Sequence, residues 1–162
     1  MTAWDQRPIE IRNLFNPAFC GLVLFRALRA FEEEDGRGMP FSLTLLVLPL
    51  SLQKESRDIL SRGKRSYFLS LVAAHPQMLV GFANRATTLL PFTFEALGLL
   101  MQMGTILAQP DGRLITAPEG VRKSETGSAE TVECQRVARF LGKQFAAVGD
   151  AATIYTTLGV RP

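Results

Sequence analysis

The sequence is poor in the residues that most often carry out chemistry. Its 162 residues include one histidine, His75, and two cysteines, Cys20 and Cys134. His75 precedes a proline and has no partner acid or nucleophile nearby in the sequence, which favours a structural or solvated role. The two cysteines are too far apart to give a zinc-binding spacing or a disulfide framework, and Cys20, in an apolar segment, is expected to be buried.

Motifs for nucleotide binding and nucleophilic catalysis are also incomplete. Residues 63–65 contain the Gly-Lys pair of a phosphate loop, but the upstream glycine is missing and an arginine replaces the Ser or Thr that should follow. The acidic run over 32–35 lies at a predicted helix end, where neighbouring side chains point in different directions, so we interpret it as solvated. The sequence therefore predicts a protein without enzymatic activity, cofactor or metal.

Long apolar runs are absent as well. The two longest, 43–52 and 89–101, are interrupted by Pro49 and by Pro91 and Glu95, whereas a membrane span needs about 20 apolar residues. The N-terminus lacks the basic-then-apolar order of a signal peptide, so we expect a cytoplasmic protein that makes no contact with membranes. A content of 47% apolar residues is enough for a core, while a net charge of +3 does not by itself indicate nucleic acid.

Helix signals mark both ends of the chain. Asn16 and Pro17 are typical of an N-cap and a first turn, and predict a helix up to the glycine-rich turn that follows. Near the C-terminus an apolar stripe predicts a helix over 131–148, and Asp150 caps a short helix after it. A short apolar segment, 43–48, is compatible with a helix or a buried strand. The charged residues expected on the solvent side of the first helix are Arg26, Arg29 and Glu33.

The middle of the chain has the element order of a winged helix-turn-helix. Helices are predicted over 66–74, 77–90 and 92–103, with Pro91 ending the second and starting the third. A Pro-Asp-Gly turn at 110–112 between two β-prone runs then predicts a hairpin. The predicted fold class is mainly α with a small β-hairpin, in which a winged helix-turn-helix-like core has additional N- and C-terminal helices. We expect a single domain over 1–162, with an arm over 1–15, a helical layer over 16–61, the winged-helix-like region over 66–118 and C-terminal helices over 129–162.

Basic residues around this region are the candidates for contacts with a nucleic-acid backbone. Arg62, Lys64 and Arg65 cluster in a loop before it, and Arg113 lies on the predicted wing, where cations contact phosphates in DNA-binding winged helices. Solvated loop charge is the alternative interpretation. The helix in the recognition position, 92–103, has no Lys or Arg and carries a glutamate, which argues against reading of bases.

Short segments distributed along almost the whole chain carry a family resemblance. They are Trp4, Arg7, Pro8, Glu10, Asn13, Leu14 and 16–20 near the N-terminus, then 38–41, 46–50, Arg57, Phe82-Ala83-x-Arg85-Ala86 and 158–162. Together they resemble the middle components of three-component ABC systems. The resemblance implies a gene between an SMC/Rad50-like ABC ATPase and a variable effector, often a nuclease, and a role in defence against phage and plasmids, as in Lamassu-type systems.

For the function, the resemblance implies a non-catalytic adaptor or regulatory subunit that links the SMC/Rad50-like ABC ATPase to the effector. Nonspecific DNA is a further expected partner of the assembled complex. We predict that Trp4, Arg7 and Glu10 on the arm bind a partner, since Trp and Arg are favoured at interfaces. Pairing of Arg7 with Glu10, or anchoring of the arm to the body, is the alternative. The alternative function is a stand-alone winged-helix DNA-binding regulator.

Overall fold

The chain folds into helices with one small antiparallel sheet. The computed structural model describes residues 4–9, 12, 15–117 and 119–162. The fully described helices are α1 (Pro17–Glu34), α2 (Phe41–Thr44), α3 (Val47–Ser51), α4 (Lys54–Arg62), α5 (Phe68–Ala74), α6 (Phe82–Gln102), α7 (Ala129–Val148) and α8 (Ala151–Thr157), with 3-10 turns at Trp4–Gln6 and Pro76–Leu79. The strands are β1 (Met39–Pro40), β2 (Ile106–Ala108) and β3 (Arg113–Thr116), in the order β1-β3-β2. The predicted mainly α class with a small hairpin is confirmed.

The helix α1 lies at the centre of the core. It packs against α6, α7 and β3, and its apolar side chains Val23 and Leu24 are fully buried. As predicted, the Asn16 side chain caps it by accepting hydrogen bonds from the backbone N–H groups of Ala18, at 2.8 Å, and Phe19, at 3.4 Å. The sequence of α1 is apolar on nearly all sides because other elements pack against nearly all of its sides.

Arg26 does not lie on the solvent side of α1, so that part of the prediction is wrong. Its side chain is covered, and the guanidinium donates to Gln135 Oε1 at 3.2 Å and to the Ser124 carbonyl at 3.3 Å. Burial, reinforced by the nearby positive charge of Arg139, lowers the pKa of Arg26. The helix α7 covers this side of α1, and a helical period alone does not reveal which sides have a neighbour.

The helix α6 passes through Pro91 without a break. The prediction of separate helices over 77–90 and 92–103 is therefore wrong, because a 3-10 turn is followed by one helix of 21 residues. Pro91 lies on the exposed side, so its ring does not disturb the core, and packing on both sides of it outweighs the missing N–H. The side chains that α6 buries are Phe82, Leu89, Thr93, Ala96, Leu97 and Leu100.

The predicted hairpin is present, and β1 extends it to three strands. Its turn closes where the Gly112 N–H donates to the Gln109 carbonyl at 3.0 Å. Before β1, Gly38 has a φ of +89°, and a Cβ there would clash with the backbone of Leu114. Segment 43–48 lies in two short helices, α2 and α3, and the turn between them, so a buried strand there is excluded. The order of elements is compatible with a winged-helix arrangement, and the division of 1–162 into subregions stays a prediction.

A buried arginine joins three helices. The Arg57 side chain on α4 donates to the Leu52 carbonyl at 2.9 Å, just after α3, and to Glu130 Oε1 on α7 at 2.8 Å. Arg57 is also one of the residues that carry the resemblance, and its contacts give it a structural role: it holds α4 against α7 and the end of α3.

None of the described helices is long and apolar enough to cross a membrane.

Candidate partner-binding surface

Two described residues of the N-terminal arm, Arg7 and Phe15, contact one flank of α6. Arg7 is 7% exposed, and its guanidinium donates to Glu95 Oε2 at 2.7 Å while lying 5.7 Å from the centre of the Phe92 ring. Phe15, further along the arm, stacks on Phe92 with ring centroids 4.6 Å apart. These contacts combine a charge-assisted hydrogen bond with aromatic packing, so Arg7 anchors the arm to the body.

The three arm residues predicted to bind a partner are thus placed differently. Arg7 pairs with Glu95 of α6, and most of its side chain is covered. The backbone of Trp4 lies in the 3-10 turn Trp4–Gln6. Glu10 lies outside the described residues. A role of this arm in binding a partner stays a prediction.

A second flank of α6 carries exposed apolar side chains. Phe94 is 49% exposed and Met101 is 42% exposed, and their separation of seven residues puts them on the same side of the helix. Phe41, at the start of α2, stacks on Phe94 with ring centroids 6.2 Å apart and an interplanar angle of 7°. Between Phe94 and Met101, Gly98 leaves open space beside the helix. We call Phe41, Phe94, Gly98 and Met101 the apolar face.

A groove continues this side of α6 towards its N-terminus. It has a volume of about 420 Å³, and its walls come from α6, from Leu45 and Leu46, and from the segment after α8. Leu90 lines the groove and is one helical turn from Phe94, so the groove and the apolar face adjoin. Three of the segments that carry the resemblance, 46–50, 82–86 and 158–162, contribute to this groove. Its lining residues are Leu45, Leu46, Ala83, Ala86, Thr87, Leu90, Tyr155 and 159–162.

The segment after α8 is held in place by the fold. The Val160 N–H donates to the Tyr155 carbonyl at 3.0 Å, after Gly159 has turned the chain with a φ of +70°. The Tyr155 hydroxyl in turn donates to the Ser42 carbonyl, and burial raises the pKa of this phenol. The groove therefore has one wall fixed by backbone and side-chain hydrogen bonds.

The basic residues predicted to contact a nucleic-acid backbone lie on two different elements. Arg62 ends α4, Lys64 and Arg65 lie in the segment that follows it, and all three are exposed. Arg113 lies on β3, where its guanidinium donates to the Gly38 carbonyl at 2.6 Å and has Asp35 Oδ2 at 3.9 Å and Asp111 Oδ2 at 3.8 Å. These contacts hold the wing against the end of α1, so Arg113 has a structural role that sequence reasoning missed.

The sequence signals for the apolar face were present but ambiguous. The segment 92–103 has no Lys or Arg and is mostly apolar, and Phe94 and Met101 on it are half-exposed. Monomeric proteins rarely leave contiguous large apolar side chains in water, and aromatic and methionine side chains are enriched at protein interfaces.

Among the described residues, no group of three or more His, Cys, Asp and Glu side chains is placed to hold a metal ion.

These features define a mainly helical protein with a small sheet and an apolar face suited to binding another protein. The family model of the ABC-three component (ABC-3C) system Middle Component 3 matches residues 4–162. The chain therefore belongs to this family, and the resemblance seen in the sequence is confirmed. No curated protein and no solved structure matches the chain.

Proposed function

We propose that this middle component is a non-catalytic cytoplasmic adaptor that links the SMC/Rad50-like ABC ATPase of its system to an effector, in defence against phage or plasmids. Membership of the family supports a place among protein partners. The observation that carries the proposal further is the apolar face on α6, because burying it requires a second protein surface.

The geometry of the face suits a partner with protruding apolar side chains. Phe41 and Phe94 form a stacked pair, and the open space at Gly98 receives a side chain between Phe94 and Met101. Aromatic anchors beside small depressions are typical of the residues that dominate binding energy. The adjoining groove extends the contact along α6, so the proposed docking surface is one side of a single helix.

The function as a stand-alone DNA-binding regulator is less well supported. A regulator of the winged-helix type reads bases with Arg, Lys, Asn or Gln on its recognition helix. Within 92–103, α6 exposes Phe94 and Met101, and Gln102 is the one exposed residue of the base-reading types. Arg113 on the wing is engaged by Gly38, which leaves it poorly placed for a phosphate.

The proposal is tested by co-purification of the full chain with the ABC ATPase subunit encoded beside it. The double variant Phe94→Ser with Met101→Ser should lose most of the bound ATPase, about tenfold or more for two central apolar contacts. The matched control is Tyr67→Ser with Val80→Ser, which changes two exposed apolar side chains elsewhere, at 74% and 73% exposure. Equal retention or equal loss in the two double variants, with unchanged melting temperatures, would contradict a partner role for the apolar face.

A further inference from the structure

Basic side chains from distant parts of the chain meet in a groove between α1 and α7. This basic groove has a volume of about 490 Å³ and is lined on one side by α1 and on the other by α7 and the segment over 121–123. Its charged lining consists of five cations and one carboxylate: Arg26, Arg29, Lys123, Arg139 and Lys143, with Glu33. Sequence reasoning missed this site because its residues come from three separate stretches of the chain.

The charge of the whole protein is concentrated in this groove. Five cations against one carboxylate give an excess of four positive charges, whereas the whole chain has a formal net charge of +3, so the remainder carries −1. Glu125 accepts from Arg136, outside the lining, at 2.9 Å and pairs with Arg139 at 2.8 Å, so counting Glu125 reduces the excess in the groove to three positive charges. A local field of this sign attracts anions from solution.

The cations differ in how free they are to bind a ligand. Arg26 is tied to Gln135 and Ser124 and supports the floor of the groove. Arg29 is partly exposed and lies 3.4 Å from Glu33 Oε1. Lys123 and Lys143 are exposed, and in the described part of the chain neither forms an ion pair with a carboxylate. A bound anion would therefore gain the most binding energy from ion pairs with Lys123 and Lys143.

The arrangement of the cations favours an extended anion over a single phosphate group. On α7, Arg139 and Lys143 lie one helical turn apart on the same side and span about 6 Å along the axis, and the groove adds Arg29 from α1 and Lys123 beside them. Successive charges on one strand of a nucleic-acid duplex are about 3.4 Å apart along the axis, so the pair on α7 alone spans about two of them. A single phosphate would instead require donors that converge on one point.

The lining offers cations to a phosphate backbone and no residue that stacks on a base. Arginine can also bond guanine, but Arg26, Arg29 and Arg139 are each engaged by groups of the protein itself. Phe25 is the aromatic residue in the lining, and it is 2% exposed, so it is not available to stack on an unpaired base. The lining has no Asn or Gln that could read a base edge, since the nearby Gln135 is buried against Arg26. A duplex, whose phosphates face outwards and whose bases are paired, fits these properties better than a single strand.

We infer that the basic groove between α1 and α7 binds the phosphate backbone of double-stranded DNA without reading its sequence. This site is distinct from the segment 62–65 and from Arg113, and it lies on other elements than the apolar face. The inference therefore stands independently of the proposed adaptor function.

The test measures binding of the full chain to a fluorescent DNA duplex of about 20 base pairs by anisotropy, over a range of salt concentrations. Wild type should bind with an affinity that falls as salt rises. Lys123→Gln with Lys143→Gln should weaken binding about tenfold at low salt and reduce the slope of log affinity against log salt by about 2, one for each lost phosphate contact. The matched control, Lys64→Gln with Arg65→Gln, removes the same charge elsewhere and should change affinity less than about twofold.

Three outcomes would overturn the inference. The first is a wild-type chain that does not bind duplex DNA at low salt. The second is an equal or larger loss in the Lys64 and Arg65 control, which would place DNA binding outside the groove. The third is labelled poly-glutamate binding as tightly as duplex and losing affinity in the Lys123 and Lys143 variant, which would mean that the groove recognises an acidic protein segment. Melting temperatures of both double variants confirm that they fold, since all four residues are exposed.

Discussion

Gly142 of α7 lies directly against the backbone of Ala27 in α1. A Cβ at Gly142 would lie well inside 3.0 Å of the Ala27 carbonyl oxygen, a distance that Cβ atoms do not adopt. The two helices that form the largest contact in the fold therefore meet backbone to backbone at this point. The spacing between α1 and α7 also sets the width of the basic groove, because both helices line it.

We expect Gly142→Ala to destabilise the protein by about 1 to 3 kcal/mol, because the added methyl group forces α1 and α7 apart in a close-packed core. Urea denaturation of the variant measures this loss. Gly98→Ala is the control, since no atom lies within 4 Å of a Cβ placed there. That change should be neutral or stabilise the protein by up to about 1 kcal/mol through helix propensity. A Gly142→Ala variant as stable as Gly98→Ala would contradict the close contact.

Removing the charge of Arg7 should release the N-terminal arm while leaving the core folded. Arg7→Met keeps an apolar stem against Phe92 but loses the bond to Glu95, at a local cost of about 1 to 3 kcal/mol. Amide hydrogen exchange should accelerate at the described arm residues, 4–9, 12 and 15–16, and stay unchanged in α7. Glu95→Gln retains an oxygen that accepts from Arg7, so a smaller effect is expected there. Uniform exchange changes across the whole chain would instead show that Arg7 stabilises the entire fold.

This experiment also bears on the predicted partner role of the arm. A loss of ATPase binding in Arg7→Met alone does not distinguish a direct contact from displacement of the arm. Glu95→Ala removes the acceptor but keeps Arg7, so a loss of binding in Glu95→Ala together with Arg7→Met would show that the arm contributes through its position, whereas a loss in Arg7→Met but not in Glu95→Ala would indicate a direct contact of Arg7. Retention of binding in both variants would exclude the arm from the interface.

The two cysteines should be unreactive in the folded protein. Burial, with smaller contributions from the charges of Glu95 and Cys134, raises the pKa of Cys20 from 9.0 to about 12, and burial also raises the pKa of Cys134. The unfolded chain releases the Cys20 proton near pH 9, while the folded chain holds it to about pH 12. The stability from this thiol is therefore fully present below pH 9 and is lost as the pH rises towards 12.

The measurement compares urea midpoints at about pH 8 and pH 10 in wild type and in Cys20→Ala. The decrease between the two pH values should be smaller in the variant, because one of the groups that titrate in this range has been removed. Identical decreases would show that Cys20 ionises as easily in the folded state as in the unfolded chain.

A thiol reagent such as DTNB should label neither cysteine at pH 8 without denaturant.

Local signals in the sequence predicted well those features that depend on neighbours along the chain. Asn16 and Asp150 cap helices because a cap needs only the N–H groups that follow it. The turn at 110–112 likewise depends on residues within the turn, and the hairpin was predicted from it.

Features that depend on distant parts of the chain were missed or wrong. Pro91 has a strong local tendency to end a helix, yet buried side chains on both sides of it keep α6 continuous. The helical spacing of Arg26 from Arg29 and Glu33 predicts that it faces solvent, but α7 covers its side chain. The apolar period of α6 does not separate Leu97, which is in the core, from Phe94, which is in water. The basic groove combines residues more than 90 positions apart, as with Arg29 and Lys123, and no pattern in the sequence links them.

The uninterrupted course of α6 through Pro91 has a consequence for recognition. Proline has no N–H, so the carbonyl of Thr87, four residues earlier, lacks the donor that closes every regular helical turn. Thr87 lines the groove that adjoins the apolar face. The helix thus has one carbonyl without its helical donor beside apolar side chains, and a partner that docks here would gain by offering a donor at one defined position. Apolar burial would then set how strongly the partner binds, and this carbonyl would set the register in which it docks.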